Sequence, residues 1–404
     1  MRILIAEDER ITRMTLARQL QNWGHEVTAA EDGEQAWERF GTAAFDVVIT
    51  DWEMPRLSGV ELVGRIRGTP RAAYTYVIIL TSRSDKSDIV SGIEAGADDF
   101  VSKPFDREEL RVRLLAGERI IRLERALNQQ NKDLRDANER IREGLRAAAR
   151  VQQSMLPKQE ILTSRVRTAW NYVPTEELAG DAIGLHLIDD RYLVSYVADV
   201  SGHGVPAALL AVAAMHFLAP VPEATSLLRD AAASAADDGR LGTLKRPARV
   251  TSDLNQRFCA RDNDGRFLTM ILTILDTNDG RMYLSSAGHP TPLVLRGKEI
   301  LGVPASGGLP IALMDDAEYD DAVVQLKPGD RVCLCSDGVL EEPNANDEQF
   351  GEARLRQHLT EFSHEPADQW VKHAVQSLTT WSGTKGFRDD VSLVVIEWLG
   401  PGAA

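Results

Sequence analysis

VADVSGHGVPAALL, residues 197–210, is the stretch that decides how the C-terminal part of the chain folds. An apolar run ends abruptly at Asp199, turn-forming residues follow, and an alanine-rich segment typical of a helix comes next. Packing does not explain a carboxylate at this position, because burying its charge is costly. Aspartates recur in the same setting, beside glycine or at the edge of an apolar strand, at Asp181, Asp337, Asp389 and Asp390. We therefore predict that distant strands bring these carboxylates together.

Asp199, Ser201 and His203 also have the residue types of a hydrolase triad. We reject that interpretation, because triad members normally come from separate elements and no strained G-x-S-x-G elbow is present here. Several carboxylates at one place require divalent cations, and the scarcity of histidine and cysteine ligands favours Mg²⁺ or Mn²⁺ over zinc. Two such ions would acidify a bridging water for attack on a phosphoryl group. The pattern therefore predicts phosphoryl hydrolysis at a two-metal site.

Short apolar runs alternate with amphipathic segments up to about residue 105, which predicts a parallel sheet with helices on both faces. Functional side chains gather outside the carboxyl ends of such strands. The residues at these ends are Glu7, Asp8, Asp51, Thr81 and Lys103. Carboxylates with open positions between them suit Mg²⁺, and a metal-held carboxylate can accept a phosphoryl group. No G-x-G-x-x-G follows the first strand, which disfavours dinucleotide binding.

A charged, glutamine-rich segment then begins at DREE, residues 106–109, which has the spacing of a helix capping box. Apolar residues recur every seven positions, as in a coiled-coil seam, at Ile120, Leu127, Leu134 and Ile141. The second row of the seam is poor and consists of Leu123, Gln130, Ala137 and Gly144. We predict a continuous helix from about Asp106 to Met155 that pairs two copies weakly. The alternative is a solvated linker helix.

After Pro157 the apolar runs lengthen, and TNDGR at 277–281 is a tight-turn signature. We therefore predict mainly antiparallel strands in this part of the chain. The Ala/Asp-rich, aperiodic segment 222–250 is predicted to be a mobile insertion.

Charge and composition disfavour several classes of function. The 404 residues carry a net charge of −15, so a broad basic surface for nucleic acid or anionic lipid is missing. No window approaches the roughly 20 apolar residues of a membrane span, and MRILIAEDER lacks the order of a signal peptide. We expect a cytoplasmic protein that binds neither nucleic acid nor membrane. The three cysteines, Cys259, Cys333 and Cys335, are predicted to be reduced core residues, in preference to metal ligands or redox groups.

Residues 1 to about 120 resemble the receiver domain of two-component response regulators, through the strand-end residues above together with Met54, Pro55, Gly59 and Pro104. The resemblance implies a sensor histidine kinase as partner and phosphorylation of Asp51. It implies Mg²⁺ bound by Asp8 and Asp51, with Glu7 in support and the Glu53 carbonyl contributing. It also implies a switch with these members: the Thr81 hydroxyl, the Phe100 ring, and Lys103 pairing with the phosphoryl group. A relative that binds partners without taking phosphate is the alternative.

From about residue 150 the chain resembles the metal-dependent protein phosphatases of the PPM family, specifically the bacterial sigma-regulator branch. The segments that carry the resemblance, in order, are VQQSMLP, ELAGD, DVSGHGVPAA, LNQRF, AGHPTPLVL, LKPGDRVCLCSDGVLE and RDDVSLVV. It implies the following ligands of two Mn²⁺ or Mg²⁺ ions: Asp199 as the bridge, the Val200 carbonyl, Asp337, Asp389, and Asp181 through metal-bound waters.

The chain departs from this family at AGDAIG, where a second acidic residue is common, so Gly184 is given no role. No cation that would hold the substrate phosphate is assigned. His203 and His289 are predicted to stabilise turns rather than to bind metal, and Asp390 to support its neighbour Asp389.

These observations predict an α/β protein with three parts. Residues 1–120 would form a receiver with a doubly wound, flavodoxin-like sheet of five parallel strands. Residues 121–156 would form a helical coiled-coil linker, and residues 157–399 an α/β sandwich with two packed, mainly antiparallel sheets flanked by helices. The resemblance implies a response regulator that hydrolyses phosphoserine or phosphothreonine on a phosphorylated STAS-type anti-anti-sigma factor. The seven-residue spacing of the linker predicts a homodimer. The alternative is a non-enzymatic adaptor whose phosphatase-like domain only binds a partner.

Overall fold

A computed structural model describes residues 1–69, 74–82, 92–220, 226–229, 240–241, 243–259, 263–304, 307–383 and 386–402. The chain divides into two compact units, Met1–Arg140 and Ile141–Ala404, and the division falls inside the segment predicted as a linker. Within the described residues, no helix has the length and apolarity needed to cross a bilayer.

The first unit contains a sheet of five parallel strands, as the sequence predicts. Its strands are β1 (Arg2–Ala6), β2 (Glu26–Ala30), β3 (Val47–Asp51), β4 (Tyr76–Thr81) and β5 (Asp99–Ser102), and its order is β2-β1-β3-β4-β5. Its described short helices are α1 (Arg10–Asn22), α2 (Gly33–Thr42) and α3 (Gly59–Arg67). Alternate residues of β1 belong to separate buried clusters, Ile3 to one and Leu4 to the other, so both faces of the sheet are covered.

The long helix α4 spans Arg107–Ser154 and has 48 residues, so the predicted continuous helix is confirmed. Asp106 caps it, because its Oδ1 accepts hydrogen bonds from the backbone N–H groups of Glu108 and Glu109 at 2.6 and 3.3 Å. Leu110, Leu114 and Ile121 are buried with the core of the first unit. The seam residues of α4 are exposed, with between 40% and 61% of their surface accessible at Ile120, Leu123, Leu127, Leu134 and Ile141.

The second unit contains two sheets of mainly antiparallel strands. One comprises β7 (Ala182–Ile188), β8 (Tyr192–Val200), β11 (Leu268–Asp276), β12 (Arg281–Ala287), β15 (Gly307–Gly308) and β16 (Ala322–Gln325). The other comprises β6 (Val166–Val173), β13 (Leu293–Arg296), β14 (Glu299–Leu301), β17 (Arg331–Cys335) and β18 (Val391–Trp398). Val332 and Val394 of the second sheet share a buried core with Val197 and Ile271 of the first, which is the predicted sandwich.

Helices cover the outer faces of this sandwich. They are α5 (Val205–Phe217), α6 (Pro247–Cys259), α7 (Asp337–Glu341), α8 (Gly351–Glu361) and α9 (Ala367–Ser382). The alanines of α5 pack in the core of the first sheet, whereas α8 and α9 bury the outer face of the second. The remaining strands, β9 (Arg240–Leu241) and β10 (Leu244–Lys245), form a separate pair.

Three local predictions have direct structural outcomes. The predicted turn joins β11 to β12, with Gly280 at φ +74° and its N–H bonded to the Asp276 carbonyl at 2.9 Å. Of the segment 222–250, which was predicted to be mobile, residues 222–225, 230–239 and 242 lie outside the described residues. In its described part Leu228 and Leu244 are fully buried and residues 247–250 begin α6, so the prediction is wrong for that part. All three cysteines are free, and burial raises the pKa of Cys335 to about 12, which keeps that thiol protonated.

Candidate functional site

Three carboxylates meet at the carboxyl ends of β1 and β3 in the first unit. Ligand oxygens of Glu7, Asp8 and Asp51 all lie within 4.8 Å of one another. Glu7 is buried, Asp51 is half-buried and Asp8 is exposed, so the cluster opens to solvent on one side. Gly59 permits the tight turn after Asp51, because a Cβ there would lie 1.9 Å from the Asp51 carbonyl oxygen. An all-oxygen cluster that is open on one side fits Mg²⁺.

Lys103 supplies a positive charge to this cluster. Its Nζ donates hydrogen bonds to Glu7 Oε2 at 2.7 Å and to Asp51 Oδ2 at 2.8 Å. Burial by itself would lower the pKa of Lys103, but the hydrogen bonds to the two carboxylates outweigh it and raise the pKa. The ammonium group therefore stays charged beside Asp51, where an added phosphoryl group would lie.

The remaining residues predicted for this site lie on or beside neighbouring strands. Thr81 ends β4 and is buried, and its carbonyl accepts a hydrogen bond from the Lys103 N–H at 2.6 Å. Phe100 lies half-buried on β5, next to β4, and Glu53 is exposed two residues after Asp51. Their roles in switching and metal binding stay predictions.

In the second unit, strand pairing brings Asp181 and Asp199 together. Ala182 of β7 pairs with Ala198 of β8, so the residues just beyond this pair, Asp181 and Asp199, lie at the same edge of the sheet. Burial, and then the negative charge of Asp199, raise the pKa of Asp181 well above its usual range. Ser392 on β18 donates a hydrogen bond to Asp181 Oδ2 at 2.5 Å. One carboxylate is therefore held between the two sheets.

The other two predicted carboxylates act on Asp199 from the second sheet. Asp337 begins α7 directly after β17, and Asp389 lies two residues before β18. Burial, and then the negative charges of Asp337 and Asp389, together raise the pKa of Asp199 to about 7. Among the described residues, no lysine or arginine forms an ion pair with any of these carboxylates: Asp181, Asp199, Asp337 and Asp389. The cluster therefore carries uncompensated negative charge.

Asp390 has a different environment from Asp389. Its Oδ1 accepts hydrogen bonds from the N–H and hydroxyl of Thr175 at 2.8 and 3.0 Å. Its Oδ2 accepts from the N–H groups of Gly180 and Asp181 at 2.8 and 3.4 Å. All of these bonds go to the loop that carries Asp181. The sequence analysis predicted only that Asp390 supports its neighbour Asp389, and it missed these hydrogen bonds. The one signal in the sequence was the pair of adjacent aspartates in FRDD.

Two glycines let backbone oxygens approach the cluster. A Cβ at Gly180 would lie 3.1 Å from the Val200 carbonyl oxygen and 3.5 Å from Asp199 Oδ1. A Cβ at Gly338 would lie 2.1 Å from the Asp390 carbonyl oxygen, so that position requires glycine. The Val200 carbonyl therefore lies beside the Asp199 carboxylate, on the Gly180 side of the loop.

The serine and histidines of SGHG and AGHP form hydrogen bonds or ion pairs with residues outside the carboxylate cluster. Ser201 Oγ accepts a hydrogen bond from the Phe267 N–H at 3.0 Å. The exposed His203 pairs with Glu176 at 3.2 Å. His289 is buried with its Nδ1 2.9 Å from the Thr269 hydroxyl, and burial lowers its pKa to about 3. These contacts leave no nucleophile and base in register for a triad.

Two questions that the sequence left open concern Gly184 and the cation that would hold the substrate phosphate. Gly184, for which the sequence offered no role, faces the Tyr196 ring, and a Cβ there would lie 2.2 Å from a ring carbon. Arg388 is the cation next to Asp389 along the chain, and it lines a cleft of about 500 Å³ with Glu341 and Glu342. Its guanidinium already pairs with Asp347 at 2.8 Å. We therefore assign no residue to the substrate phosphate.

The donor set of the second unit fits hard divalent cations. All of its candidate donors are oxygens, and Gly180 places no Cβ against the Val200 carbonyl oxygen, from which it would lie 3.1 Å. Within the described residues, only the first-unit carboxylates form a group of three or more candidate ligand side chains within 4.8 Å. A looser arrangement suits two ions that share one carboxylate and complete their shells with water.

Comparisons with known proteins agree with both units. The receiver domain profile of response regulators matches residues 3–115. Response regulator MprA of Mycobacterium tuberculosis (strain H37Rv) is 39% identical over 115 residues, which are 28% of this chain and 49% of that protein. The corresponding protein of Mycobacterium avium (strain 104) is 39% identical over 116 residues, 29% of this chain and 50% of that protein. This chain thus covers about half the length of these curated relatives.

The second unit matches a different family and a solved structure. The SiaA-PP2C domain of Pseudomonas aeruginosa is 20% identical and superimposes with a TM-score of 0.53, over 65% of this chain and 98% of that domain, which shows a shared fold. The profile of stage II sporulation protein E (SpoIIE) matches residues 189–399, more than half of the chain. With an N-terminal receiver domain and a C-terminal domain that shares the PP2C fold, the chain belongs to the SpoIIE family.

Proposed function

We propose that this protein is a response regulator whose output is hydrolysis of phosphoserine or phosphothreonine on a protein substrate. The observation that carries the proposal is the cluster around Asp199, whose pKa is raised to about 7 by burial and by neighbouring carboxylates. A site that concentrates negative charge without a cationic side chain is stabilised by bound cations. The same arrangement has no evident use in a protein that only binds a partner.

The residues that would hold two divalent cations are Asp199 between them, the Val200 carbonyl, Asp337 and Asp389, with Asp181 acting through water. Bound there, Mn²⁺ or Mg²⁺ ions would lower the pKa of a shared water and offset the charge of the phosphoryl oxygens. Asp181 accepts a hydrogen bond from Ser392. That contact helps to fix the orientation of its carboxylate.

In the receiver domain, Asp51 would accept the phosphoryl group from a sensor histidine kinase, with Mg²⁺ held by Asp8, Asp51 and the Glu53 carbonyl and supported by Glu7. Lys103 lies 2.8 Å from Asp51 Oδ2 and would pair with the added oxygens. Thr81 and Phe100 would then change position. These roles rest on the receiver family together with the contact geometry.

For the substrate we propose a phosphorylated STAS-type anti-anti-sigma factor, which places the protein in partner-switching control of sigma factors. The resemblance of the second unit to the sigma-regulator branch supports this choice. The test is incubation of the full chain with a phosphoserine STAS protein and Mn²⁺, with and without acetyl phosphate, while released phosphate is measured. We expect release that depends on Mn²⁺ and changes with acetyl phosphate. Stable binding of the phosphoprotein without release would favour the adaptor alternative.

We also propose that α4 pairs two copies of the chain through its seam residues, which are 40–61% exposed. Replacing Gln130 and Gly144 with leucine should strengthen pairing and make hydrolysis less responsive to phosphorylation, because the second row of the seam becomes apolar. Light scattering and phosphatase assays measure both effects. The control, Asn128→Leu with Arg142→Leu, adds two leucines one position away from the seam. A wild-type chain that stays monomeric with and without phosphorylation would contradict the pairing.

A further inference from the structure

The last turn of α4 makes a specific contact with the loop that carries Asp181. Gln152 is buried, with 4% of its surface exposed. Its Nε2 donates a hydrogen bond to the Ala179 carbonyl at 2.8 Å, and its Oε1 accepts one from the Ala179 N–H at 3.2 Å. One side-chain amide therefore satisfies both backbone groups of a single residue, 27 positions along the chain.

The contact lies next to the candidate metal site. Ala179 is followed in the chain by Gly180 and Asp181. Gly180 lies close to the Val200 carbonyl and to Asp199. Asp390 holds the N–H groups of Gly180 and Asp181. The loop is thus held from two directions, by Asp390 before β18 and by Gln152 on α4. With only one of these two contacts, the loop could pivot about it.

Apolar packing supports the same contact. Leu145 and Ala149 of α4 pack with Leu178, which precedes Ala179, and with Ala208 of α5. This cluster is small and separate from the main core of the unit. A helix residue advances 1.5 Å and rotates by about 100°, so a small rotation or slide of α4 would break both amide hydrogen bonds, which weaken steeply with distance and angle.

We propose that Gln152 is a positioning residue, which holds Ala179–Asp181 in the geometry that binds metal. The proposal rests on the proposed function of the Asp199 site. Gln152 itself touches neither metal nor substrate. Its effect passes through the backbone of Ala179 to Gly180 and Asp181.

The test compares variants of the full chain that also carry Asp8→Asn, which removes the receiver metal site. Gln152→Met keeps the size of the side chain and removes both hydrogen bonds. We expect Mn²⁺ affinity, measured by calorimetry, to fall roughly tenfold or more, as for other residues that orient metal ligands. Saturating Mn²⁺ should restore most of the turnover rate. Hydrogen exchange at the amides of residues 179–181 should speed up without metal.

Gln153 provides the matched control, because it is the same residue type one position further along α4 and is exposed. Gln153→Ala should leave Mn²⁺ affinity, exchange and melting temperature unchanged. If Gln152→Met does not fold, Gln152→Ala replaces it, since this variant also removes both hydrogen bonds and buries no charge. Wild-type Mn²⁺ affinity and exchange in either folded variant would overturn the proposal.

Failure of the proposed function gives a different result. In that case the chain carrying only Asp8→Asn would bind no Mn²⁺ and hydrolyse no phosphoprotein. The exchange of residues 179–181 without metal would still decide the role of Gln152: unchanged exchange in Gln152→Met overturns it, and faster exchange confined to this loop supports it.

Discussion

The two carboxylate sites of this protein handle negative charge in opposite ways. In the receiver, Lys103 lies 2.7–2.8 Å from oxygens of Glu7 and Asp51, so a permanent cation is part of the site. Around Asp199 no cationic side chain among the described residues pairs with the carboxylates, and its pKa rises to about 7. One lysine thus offsets part of the charge of the three receiver carboxylates, and Asp8 has no contact with it in the part of the chain that the structure describes. The Asp199 site instead holds buried, mutually repelling carboxylates, whose charge protons or metal ions would offset.

The largest test of this contrast is Asp199→Asn. We expect hydrolysis to fall by at least about a thousandfold, because a neutral side chain cannot hold two cations together. Mn²⁺ binding at this site should weaken in parallel, as measured by calorimetry. The exposed Asp316→Asn serves as the control and should retain activity. Near-normal turnover by a folded Asp199→Asn protein would remove the two-metal assignment.

The second test changes the other site. Asp51→Asn should abolish labelling by a phosphodonor and the change in phosphatase rate that the donor causes, because the acceptor carboxylate is lost. The rate without donor should stay at the wild-type level, since the Asp199 site is untouched. Labelling with acetyl phosphate followed by a phosphate-release assay measures both. If the phosphatase rate of the variant still changes with the donor, Asp51 is not the residue whose phosphorylation controls it.

Stability without metal should depend on pH in a direction set by Asp199. Its pKa is about 7 in the folded chain, against an ordinary value of 3.8, so the protonated form favours folding. This contribution is fully present below the ordinary pKa and is lost as pH rises through 7. In EDTA the melting temperature should fall over that window, and excess Mn²⁺ should restore it.

Asp199→Asn isolates this contribution. In EDTA near neutral pH the variant should be more stable than the wild type, by on the order of 1 kcal/mol, because one repelling carboxylate is gone. Thermal melts of both proteins at several pH values give the comparison. Equal pH dependence in the two proteins would mean that Asp199 is not strained without metal.

The smallest effect is expected for Ser201→Ala. Ser201 Oγ accepts a hydrogen bond from the Phe267 N–H, so its removal should cost about 1 kcal/mol of stability. Activity should change by less than about tenfold. Phosphate release and thermal melts check this. A loss of several orders of magnitude in a folded protein would return Ser201 to consideration as a nucleophile.

Much of this arrangement could be predicted from sequence, because the signals are local. Strand ends place Glu7, Asp51 and Lys103 at one edge of a parallel sheet, and the contact between Lys103 and both carboxylates agrees with that. TNDGR likewise marks its own hairpin. In each case the physical cause lies within a few residues or follows from the topology of the sheet.

The missed features depend on partners that no local pattern names. Asp390 binds a loop more than 200 residues earlier in the chain, and Gln152 binds Ala179 from another element. Gly184 is required by the ring of Tyr196 on the adjacent strand. Seven-residue spacing could place apolar residues on α4, but it could not show that the Gln152 amide contacts the backbone of Ala179.

The bonds from Asp390 to Thr175 and Gly180 also set the order of events during protein synthesis. The loop around Asp181 is made early, whereas Asp390 and β18, which pairs with β6 along eight residues, leave the ribosome more than 200 residues later. Domains fold as units during synthesis, and contacts this distant in sequence form late. A nascent chain that stops before residue 390 therefore lacks the anchor of the Asp181 loop, although the first unit is already complete.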